Sequence, residues 1–351
     1  MSTLPQLVYL AFGPEIYQKE AFFSISSAIC MQNRFTPDFR FGIQVFTDTP
    51  EFYDPLPVTA LPLNRGWYGP ADYRFRAKHA IVREVLDHHE RVVLIDSDTF
   101  FKRSPAELFA RIKPGQVLCN FFGAPLKNLP SQEILQAAEL QVSINKENKQ
   151  TNSGVIGLVR EDRGVVEQSI ALMDHLHPRF PDYYTLEELC LAIAASHSNL
   201  TECKDVIHHY WSRKGIFRAK VEAWFRRHGS TPLSQPALED IGHIDEHLPK
   251  PEHPLRAVQK LTTMAFPRAH RQFCRELLYG CHPYKNEYDR ACAEAWYAKA
   301  EENLMDIGAI ASHDIREIIK HPLFALLAGR GHKEIINFFE RSRQARQEAS
   351  N

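Results

Sequence analysis

The sequence lacks the features that mark several large classes of protein. Its 351 residues carry a formal net charge of -1, so we expect no global electrostatic attraction to nucleic acid or to a membrane. No apolar run reaches the roughly 18 residues that cross a bilayer, and no basic segment followed by a long apolar core opens the chain. We therefore expect a soluble or at most peripheral protein, with no leader, no membrane span and no nucleic-acid partner.

The cysteines do not follow the spacing of disulfide frameworks or of zinc sites. The seven cysteines form an odd number and include no Cys-x-x-Cys pair, which argues against a disulfide framework and against a thiolate zinc site. A reduced, cytoplasmic setting is the expectation. The hydrophobic and charged fractions, 44% and 24%, are those of an ordinary globular protein, so the chain can bury a sizeable core in one or two domains.

Short apolar runs alternate with amphipathic segments as far as about residue 210. This alternation predicts an α/β fold with a mostly parallel central sheet. Beyond residue 215 the strand-like runs end, and prolines cluster before a helical tail. We therefore expect an α/β domain at 1–215 and a mainly helical extension at 216–351. The predicted strands are Leu7 to Phe12, Phe41 to Thr47, Val92 to Ile95, Val117 to Asn120, Val155 to Val159 and Asp205 to His209. The predicted helices are Gln18 to Gln32, Asp72 to Asp87, Ser131 to Val142, Gly164 to His177, Leu186 to Ala195, Ala291 to Met305 and His332 to Gln347.

The segment RVVLIDSDTFFKRSP, residues 91–105, places two carboxylates directly after a buried strand. The end of such a strand is where an open α/β sheet binds ligands. Asp96 and Asp98 are two positions apart, so their side chains point the same way and can hold Mg²⁺ or Mn²⁺. Like charges this close repel, so we expect a positive group between them. The alternatives are a strand-capping turn and an Asp-x-Asp phosphatase of the haloacid-dehalogenase type, although Phe100 stands where that pattern wants Thr or Val.

Residues 73–105, YRFRAKHAIVREVLDHHERVVLIDSDTFFKRSP, resemble the core of nucleotide-sugar glycosyltransferases with the GT-A fold. The similarity is greatest to the glycogenin and bacterial lipopolysaccharide galactosyltransferase group, which carries a basic helix, a strand and then Asp-x-Asp. Three further stretches follow in the family's order, so the resemblance covers roughly residues 5–215. It implies a Rossmann-like nucleotide-diphospho-sugar transferase domain and a metal-dependent hexosyltransferase, with a UDP-sugar favoured as donor.

The first of these stretches is TNSGVIGL at residues 151–158. It is similar to the Asn-Ser-Gly-Val segment that lines the sugar pocket in the family. Asn152 and Ser153 offer donors and acceptors just before a strand, and Gly154 lets a ligand approach the backbone closely. The resemblance implies a catalytic role for Asn152 and donor contacts for the other two. Standing alone, the stretch is better explained as a strand-entry turn.

The second stretch is YTLEELCLAIA at residues 184–194, where the family carries Asp-Gln or Asp-Glu beside the anomeric carbon. Here the pair is Glu187-Glu188, and the resemblance gives both residues catalytic roles. Acidic residues in a first helical turn also compensate the helix dipole, with Thr185 as a possible N-cap. A carboxylate at the second position could serve as a general base or as a charge stabiliser, so the stereochemistry stays open.

The third stretch is DVIHHYWSRKG at residues 205–215. It resembles the family's late His-Tyr-x-Gly-x-x-Lys-Pro segment, which supplies a histidine to the metal and a lysine to the diphosphate. The His-Tyr dipeptide selects His209, whereas the spacing back from Lys214 selects His208, and in extended backbone only one of the two histidines will face the metal. The family's glycine and Lys-Pro are not kept in place, which weakens the role of Lys214.

The remaining expected donor contacts lie near the first strand and on the basic helix. Their roles rest on the resemblance: the early loop of this fold holds the base and ribose, and basic residues before the Asp-x-Asp strand neutralise the leaving diphosphate. For Tyr17, packing under the loop explains the ring about as well as stacking on the base. The residues implied are Ala11, Phe12, Gly13 and Tyr17 for base and ribose, Arg76 and Lys78 for the phosphates, and Ser97 between the two aspartates.

A basic and aromatic segment, WSRKGIFRAKVEAWFRRHG at residues 211–229, begins the extension. As a helix it would have an aromatic side and a basic side, the form used at membrane surfaces. Peripheral contact with the inner membrane face through Trp211–Gly229 is therefore one hypothesis. The other is an amphipathic helix that docks on the catalytic domain with a solvated basic face.

These observations favour a metal-dependent glycosyltransferase acting on a glycan, a lipid-linked or a protein acceptor. One alternative is a nucleotidyltransferase acting on a sugar phosphate, but such enzymes begin with a Gly-rich loop that LAFGPEIY, residues 10–17, does not supply. The other alternative is a degenerate member that binds without catalysis. Retention of both aspartates and of the late histidines speaks against it.

Overall fold

The computed structural model describes residues 4–306 and 312–349. Two compact units make up the chain, and each is described separately below. The chain passes into the second unit near the predicted boundary at residue 215, but it then returns briefly to the first. The first unit comprises Met1–Trp211 and His228–Leu238, and the second comprises Ser212–Arg227 and Glu239–Asn351.

The described residues form short strands and mostly short helices. The strands are β1 (Gln6–Ala11), β2 (Gly42–Thr47), β3 (Thr59–Pro62), β4 (Arg91–Ile95), β5 (Thr99–Phe101), β6 (Gln116–Cys119), β7 (Phe122–Pro125), β8 (Lys149–Thr151), β9 (Val155–Val159), β10 (Asn199–Glu202) and β11 (Ile207–His209). The α-helices are α1 (Glu15–Phe35), α2 (Arg76–Leu86), α3 (Ala106–Ala110), α4 (Gln132–Glu139), α5 (Arg163–Leu176), α6 (Leu186–Ala194), α7 (Lys214–His228), α8 (Gln235–Ile241), α9 (His253–Thr262), α10 (Arg271–Gly280), α11 (Glu287–Arg290), α12 (Ala293–Asp306), α13 (Ser312–Lys320), α14 (Pro322–Ala328) and α15 (His332–Ala349). Short 3₁₀ helices occupy Pro50–Tyr53, Arg65–Tyr68, Leu126–Asn128, Arg160–Asp162, Trp211–Arg213, Thr263–Ala265, Arg268–His270 and Gly329–Gly331.

The main sheet of the first unit has the strand order β10-β6-β9-β4-β1-β2-β3. Neighbouring strands run parallel except at β9, which is antiparallel to both β4 and β6. Helices α2, α5 and α6 contribute apolar residues to the core with strands β4 and β9. The predicted α/β fold with a mostly parallel central sheet is confirmed.

The pairing of β4 with β9 at the centre of the sheet determines which polar residues lie close together. Strand β4 has Val92 through Ile95 fully buried, as expected for a strand covered on both faces. Because β9 runs antiparallel, Ile95 pairs with Val155, and the start of β9 lies beside the end of β4. The backbone amide of Asp96 accordingly donates to the Gly154 carbonyl at 2.9 Å. Residues just before β9 therefore meet residues just after β4.

One strand differs from the sequence-based prediction in a way that matters for the site. The predicted strand Asp205 to His209 is shorter, and β11 does not join the main sheet but pairs antiparallel with β5. That pairing follows the chain turn at residues 96–98, where β5 leaves the line of β4. The edge strands β3 and β10 were not predicted, because their residues are half-buried or exposed and carry no apolar alternation.

Helices are the only regular secondary structure in the described residues of the second unit, as the sequence predicts for the extension. Its larger core joins α10, α12, α13, α14 and α15. A smaller cluster packs Ile216 of α7 with Cys292 and Trp296. Among the described residues, no helix combines the length and the apolar character that crossing a bilayer requires.

Candidate functional site

Asp96 and Asp98 follow β4 at the carboxyl end of the sheet. The turn between them is held by backbone and hydroxyl contacts, in which Thr99 Oγ1 donates to the Asp96 carbonyl at 2.9 Å. The Asp98 carbonyl accepts from the Tyr210 amide at 3.1 Å. Asp98 is 5% exposed and Asp96 is half-buried. The two carboxylates are thus held by the turn at the edge where α/β sheets bind ligands.

Strand β11 brings one histidine to this pair. The β5–β11 register places His209 opposite Thr99, and His209 Nε2 lies 3.3 Å from Asp98 Oδ1 and 4.0 Å from Asp96 Oδ2. His208 points the other way, as alternation along a strand requires, and its ring lies 5.1 Å from that of Phe100. Of the two histidines left open by the sequence, the structure places His209 with the aspartates.

The other ring nitrogen of His209 is oriented by Asn152. Its Nδ1 lies 3.0 Å from Asn152 Oδ1, while Asn152 Nδ2 donates to Glu188 Oε1 at 2.6 Å. The amide oxygen is therefore the acceptor, Nδ1 carries a hydrogen, and in a neutral ring the lone pair sits on Nε2 facing the carboxylates. A Cβ at Gly154 would collide with the His209 ring. The close approach that this glycine permits is that of His209.

A lysine supplies the positive group that the sequence predicts beside Asp96 and Asp98, but it does not lie between them. Lys78 Nζ, near the start of α2, is 2.8 Å from the Asp96 carboxylate and 3.3 Å from Glu187 Oε1. It therefore bridges Asp96 to Glu187 rather than Asp96 to Asp98. Burial would lower the pKa of Lys78, but attraction to the two carboxylates outweighs burial and raises it, so the amine stays charged.

The environments of the two adjacent glutamates at the start of α6 shift their pKa values in opposite directions. Burial acts to raise the pKa of Glu187, but Lys78 and a 2.7 Å hydrogen bond from Ser153 Oγ outweigh it and lower that pKa. Burial, with repulsion from Glu187 added, raises the pKa of Glu188 to about 7. Adjacent carboxyl groups whose pKa values are driven apart are typical of acid and base pairs in enzymes.

The structure brings some of the other predicted residues to this cluster and not others. Ser153 joins it through Glu187, and Ser97 lies in the turn between the aspartates. Arg76 is not brought in, because Asp174 binds its guanidinium through two hydrogen bonds of 2.7 and 2.9 Å. Lys214 begins α7 in the second unit. Both phosphate roles stay predictions.

The predicted base-binding loop follows β1. Ala11 is buried, Tyr17 is 37% exposed, and the Phe12 ring packs 6.1 Å from that of Tyr68. Gly13 has a φ of 88°, a conformation that favours glycine, and its amide donates to Asp48 Oδ2 at 2.9 Å. A hydrogen bond therefore ties this loop to the residue that follows β2.

Asp48 and Gln18 are the residues at this loop that sequence reasoning missed. Gln18 Nε2 donates to Asp48 Oδ1 at 2.9 Å and to the Ala11 carbonyl at 3.2 Å. The available signal was position, because Asp48 follows β2 just as Asp96 follows β4.

The donors of Asp96, Asp98 and His209 fit a divalent cation. Within the described residues, one ligand atom from each lies within 4.8 Å of the other two. Two carboxylate oxygens and one imidazole nitrogen suit Mn²⁺ or Mg²⁺ better than a soft metal, which would require thiolates. Lys78 satisfies part of the acidic charge, so a cation there would share Asp96 with the amine.

Comparison with known proteins gives a likeness to solved structures. No protein-family model and no curated protein matches the chain. One similar structure is the apo form of the bifunctional glycosyltransferase WbbM, with 14% identity over 58% of this chain and a TM-score of 0.42; the match spans 39% of that chain. Another is the galactosyltransferase LgtC in complex with donor and acceptor sugar analogs, with 12% identity, a TM-score of 0.38 and coverage of 56% of this chain and 73% of that one.

Proposed function

We propose that the protein is a metal-dependent glycosyltransferase that moves a sugar from a nucleotide-diphosphate sugar to a glycan, lipid-linked or protein acceptor. The observation that carries the proposal is the assembly of Asp96, Asp98 and His209 at the end of β4, with Glu187 and Glu188 in the same hydrogen-bonded network. The ordered resemblance of the sequence to GT-A glycosyltransferases supports the same assignment. A cytoplasmic setting is part of the proposal.

Asp96, Asp98 and His209 would hold Mn²⁺ or Mg²⁺, which when bound supplies Lewis-acid stabilisation of a departing diphosphate. Lys78 contributes a fixed positive charge next to that centre. Its position between Asp96 and Glu187 keeps Asp96 oriented and partly neutralised before any ligand arrives. Such fixed charges lower a barrier without reorganising during the reaction.

Glu187 and Glu188 would have different roles. Glu187 accepts from Lys78 and from the Ser153 hydroxyl, so it stays ionised and holds the amine in place. Glu188, with its pKa raised to about 7, can hold or release a proton at its carboxylate near neutral pH, which a group that receives the acceptor hydroxyl proton must do. Asn152 binds Glu188 and His209 at once and so fixes their spacing.

The donor's nucleotide would lie along the loop after β1. Tyr17 offers a partly exposed ring for stacking, and Ala11 and Phe12 line the end of the strand. Gln18 and Asp48 keep this loop in one conformation. A UDP-sugar is the favoured donor, and Ser97, Ser153 and Gly154 lie where polar and backbone contacts to its sugar and phosphates are expected.

Calorimetry with UDP, GDP, CMP and dTDP sugars tests the proposal, first with Mn²⁺ and then with EDTA. We expect one nucleotide to bind only with metal present, and Asp98→Asn to lose that binding. Asp182→Asn, at an exposed position of the same unit, is the matched control. Binding to none of the four, or equal binding with EDTA, contradicts the proposal.

Product analysis then separates transfer from nucleotidyl chemistry. With the bound donor and a glycan mixture, a glycosyltransferase releases the nucleoside diphosphate. Pyrophosphate release from a nucleoside triphosphate and a sugar phosphate would instead identify a nucleotidyltransferase. Metal-dependent binding without either product would identify a non-catalytic binding protein.

A further inference from the structure

Helix α9 of the second unit turns its apolar residues toward solvent. Leu255, Val258 and Leu261 are 39%, 52% and 67% exposed, and Met264 in the next turn is 55% exposed. Pro254, Ala257, Val258 and Leu261 follow the i, i+3, i+4, i+7 spacing of one helix face, and all are exposed. We call Leu255, Val258, Leu261 and Met264 the outer stripe. Scattered exposed apolar residues are ordinary, but a contiguous stripe marks an interaction surface.

The inward side of the same segment is polar. Gln259 is 8% exposed and Thr263 is fully buried. Thr263 Oγ1 donates to the Gln259 carbonyl at 2.7 Å, whereas the side-chain oxygen of Gln259 meets no hydrogen-bond donor in the described part of the chain. Burying an unpaired acceptor costs free energy. The orientation of α9 is thus the reverse of what burial of apolar surface alone would select, and such departures concentrate at functional surfaces.

The charges around the stripe are almost all positive. Between residues 250 and 275 the sequence has six Lys or Arg and one acidic residue, Glu252, although the whole chain has a formal net charge of -1. Lys250, Lys260 and Arg268 are exposed. Lys260 lies on α9 itself, at the edge of its exposed face.

We propose that α9 is a membrane-surface helix, in which the outer stripe enters the interface of a bilayer that contains anionic lipids. An apolar stripe flanked by cations is the arrangement that holds an amphipathic helix in the plane of a bilayer. Each basic residue near an anionic leaflet strengthens binding about fivefold. Protein interfaces are instead depleted in Lys, so Lys250 and Lys260 favour lipid over a protein partner.

This surface differs from the one that the sequence suggested. In α7 the apolar positions Phe217, Val221 and Trp224 are all buried, at 2%, 1% and 0% exposure. Most of the aromatic side of Trp211–Gly229 is therefore buried, although Trp211 itself is 53% exposed, and the proposal places the lipid surface on α9 instead. The proposal does not depend on transferase activity.

Flotation of the full chain with vesicles tests the proposal. We expect binding to phosphatidylcholine vesicles containing about a third phosphatidylserine, and much less binding to pure phosphatidylcholine. Val258→Ser with Leu261→Ser should lower the partition coefficient at least tenfold while the melting temperature stays unchanged, because both side chains are largely exposed. Lys260→Gln and Arg268→Gln should each lower it about fivefold.

Two controls separate this surface from other exposed groups. Leu326, 78% exposed on α14 of the same unit, is the matched apolar control, and Leu326→Ser should bind vesicles as the wild type does. Asp98→Asn should also bind normally, which separates failure of the lipid surface from failure of the proposed donor site.

Three outcomes overturn the inference. One is the absence of binding to anionic vesicles at low salt, and another is unchanged binding of the Val258→Ser, Leu261→Ser protein. The third is a stable dimer in solution that the same double variant makes monomeric, which would assign the stripe to a second copy of the chain.

Discussion

Each unit has, among its described residues, a lysine with little or no exposed surface that two carboxylates bridge. Lys78 lies 2.8 Å from Asp96 and 3.3 Å from Glu187. Lys220 lies 2.9 Å from Asp289 and 3.7 Å from Asp245, and it also donates to the His247 carbonyl at 3.2 Å. In composition the two clusters are nearly the same.

The clusters differ in what surrounds them. Lys220 is fully buried, and Asp289 at 2.9 Å balances its charge, because the other partner, Asp245, is 3.7 Å away and 62% exposed to solvent. Lys78 keeps 12% of its side chain exposed, and a second layer of acids, Asp98 and Glu188, stands behind its partners. One positive charge thus faces more negative charge than it can neutralise. A balanced buried pair indicates a structural contact, whereas an excess of one sign among partly exposed groups indicates a place for a charged ligand.

The largest effect is expected from a substitution that removes one charge from the site cluster without changing its shape. Asp98→Asn removes one of the negative charges that a divalent cation needs, so turnover and metal-dependent nucleotide binding should fall a hundredfold or more, about 3 kcal/mol. Isothermal calorimetry and initial rates measure both. Asp182→Asn should leave both unchanged, and ordinary turnover of Asp98→Asn in Mn²⁺ would remove the metal from the proposal.

A substitution in the Lys220 cluster should change the stability of the protein and not its nucleotide binding. Lys220→Met leaves Asp289 facing an apolar group, and we expect a loss of about 3 kcal/mol in the free energy of unfolding, with no change in nucleotide affinity. Urea denaturation checks this. Lys299→Met removes a partly exposed partner of the exposed Glu302 and should cost under about 1 kcal/mol. An equal loss in the two variants would mean that burial of the Lys220 pair contributes nothing.

A divalent cation should distinguish the two lysines directly. Lys78→Met leaves Asp96 and Glu187 uncompensated, so the protein without metal should lose about 2 kcal/mol of stability. Mn²⁺ should restore most of the loss, because it supplies positive charge to the same carboxylates. Melting temperatures with Mn²⁺ and with EDTA measure the difference. Lys220→Met should gain no more from Mn²⁺ than the wild type, and a Lys78→Met protein indifferent to Mn²⁺ would contradict the site's assignment.

The smallest expected effect concerns pH. Since the pKa of Glu188 is raised to about 7, the carboxyl group is protonated below that pH and cannot accept a proton. The rate at saturating Mn²⁺ should therefore rise about tenfold from roughly pH 6 to 8. Glu188→Gln should be slower and should lose this dependence, as measured by initial rates across the range. A rising limb that persists in Glu188→Gln would assign it to another group.

Much of the sheet could be predicted from the sequence because buried strands appear in it as continuous apolar runs. Val92 to Ile95 and Val155 to Val159 are continuous apolar runs, and both lie in the middle of the sheet. Strand β3 ends in Pro62 and β10 is polar, so neither carries a local signal. Their place depends on β2 and β6, their neighbours in the sheet.

The site was predicted as a set of residues but not as a set of contacts. Order along the chain selected Asp96, Asp98 and a late histidine, but only the pairing of β11 with β5 distinguishes His209 from His208. Lys78 lies between two carboxylates, contacts that the sequence did not indicate, and its phosphate role stays a prediction. Arg76, two residues away, is bound by Asp174. Such choices depend on distant elements, which spacing along one helix does not encode.

The contacts of the site join residues that are far apart in the sequence, and this separation affects how the protein folds. Lys78 and Glu187 are 109 residues apart in sequence, and Asn152 and His209 are 57 apart. Contacts over such separations form slowly, because the intervening loop must close before any contact stabilises it. During synthesis, Asp96 and Asp98 emerge long before His209 does. A metal site with all three ligands therefore forms only late in folding. The appearance of Mn²⁺ binding during refolding would report when that stage is reached.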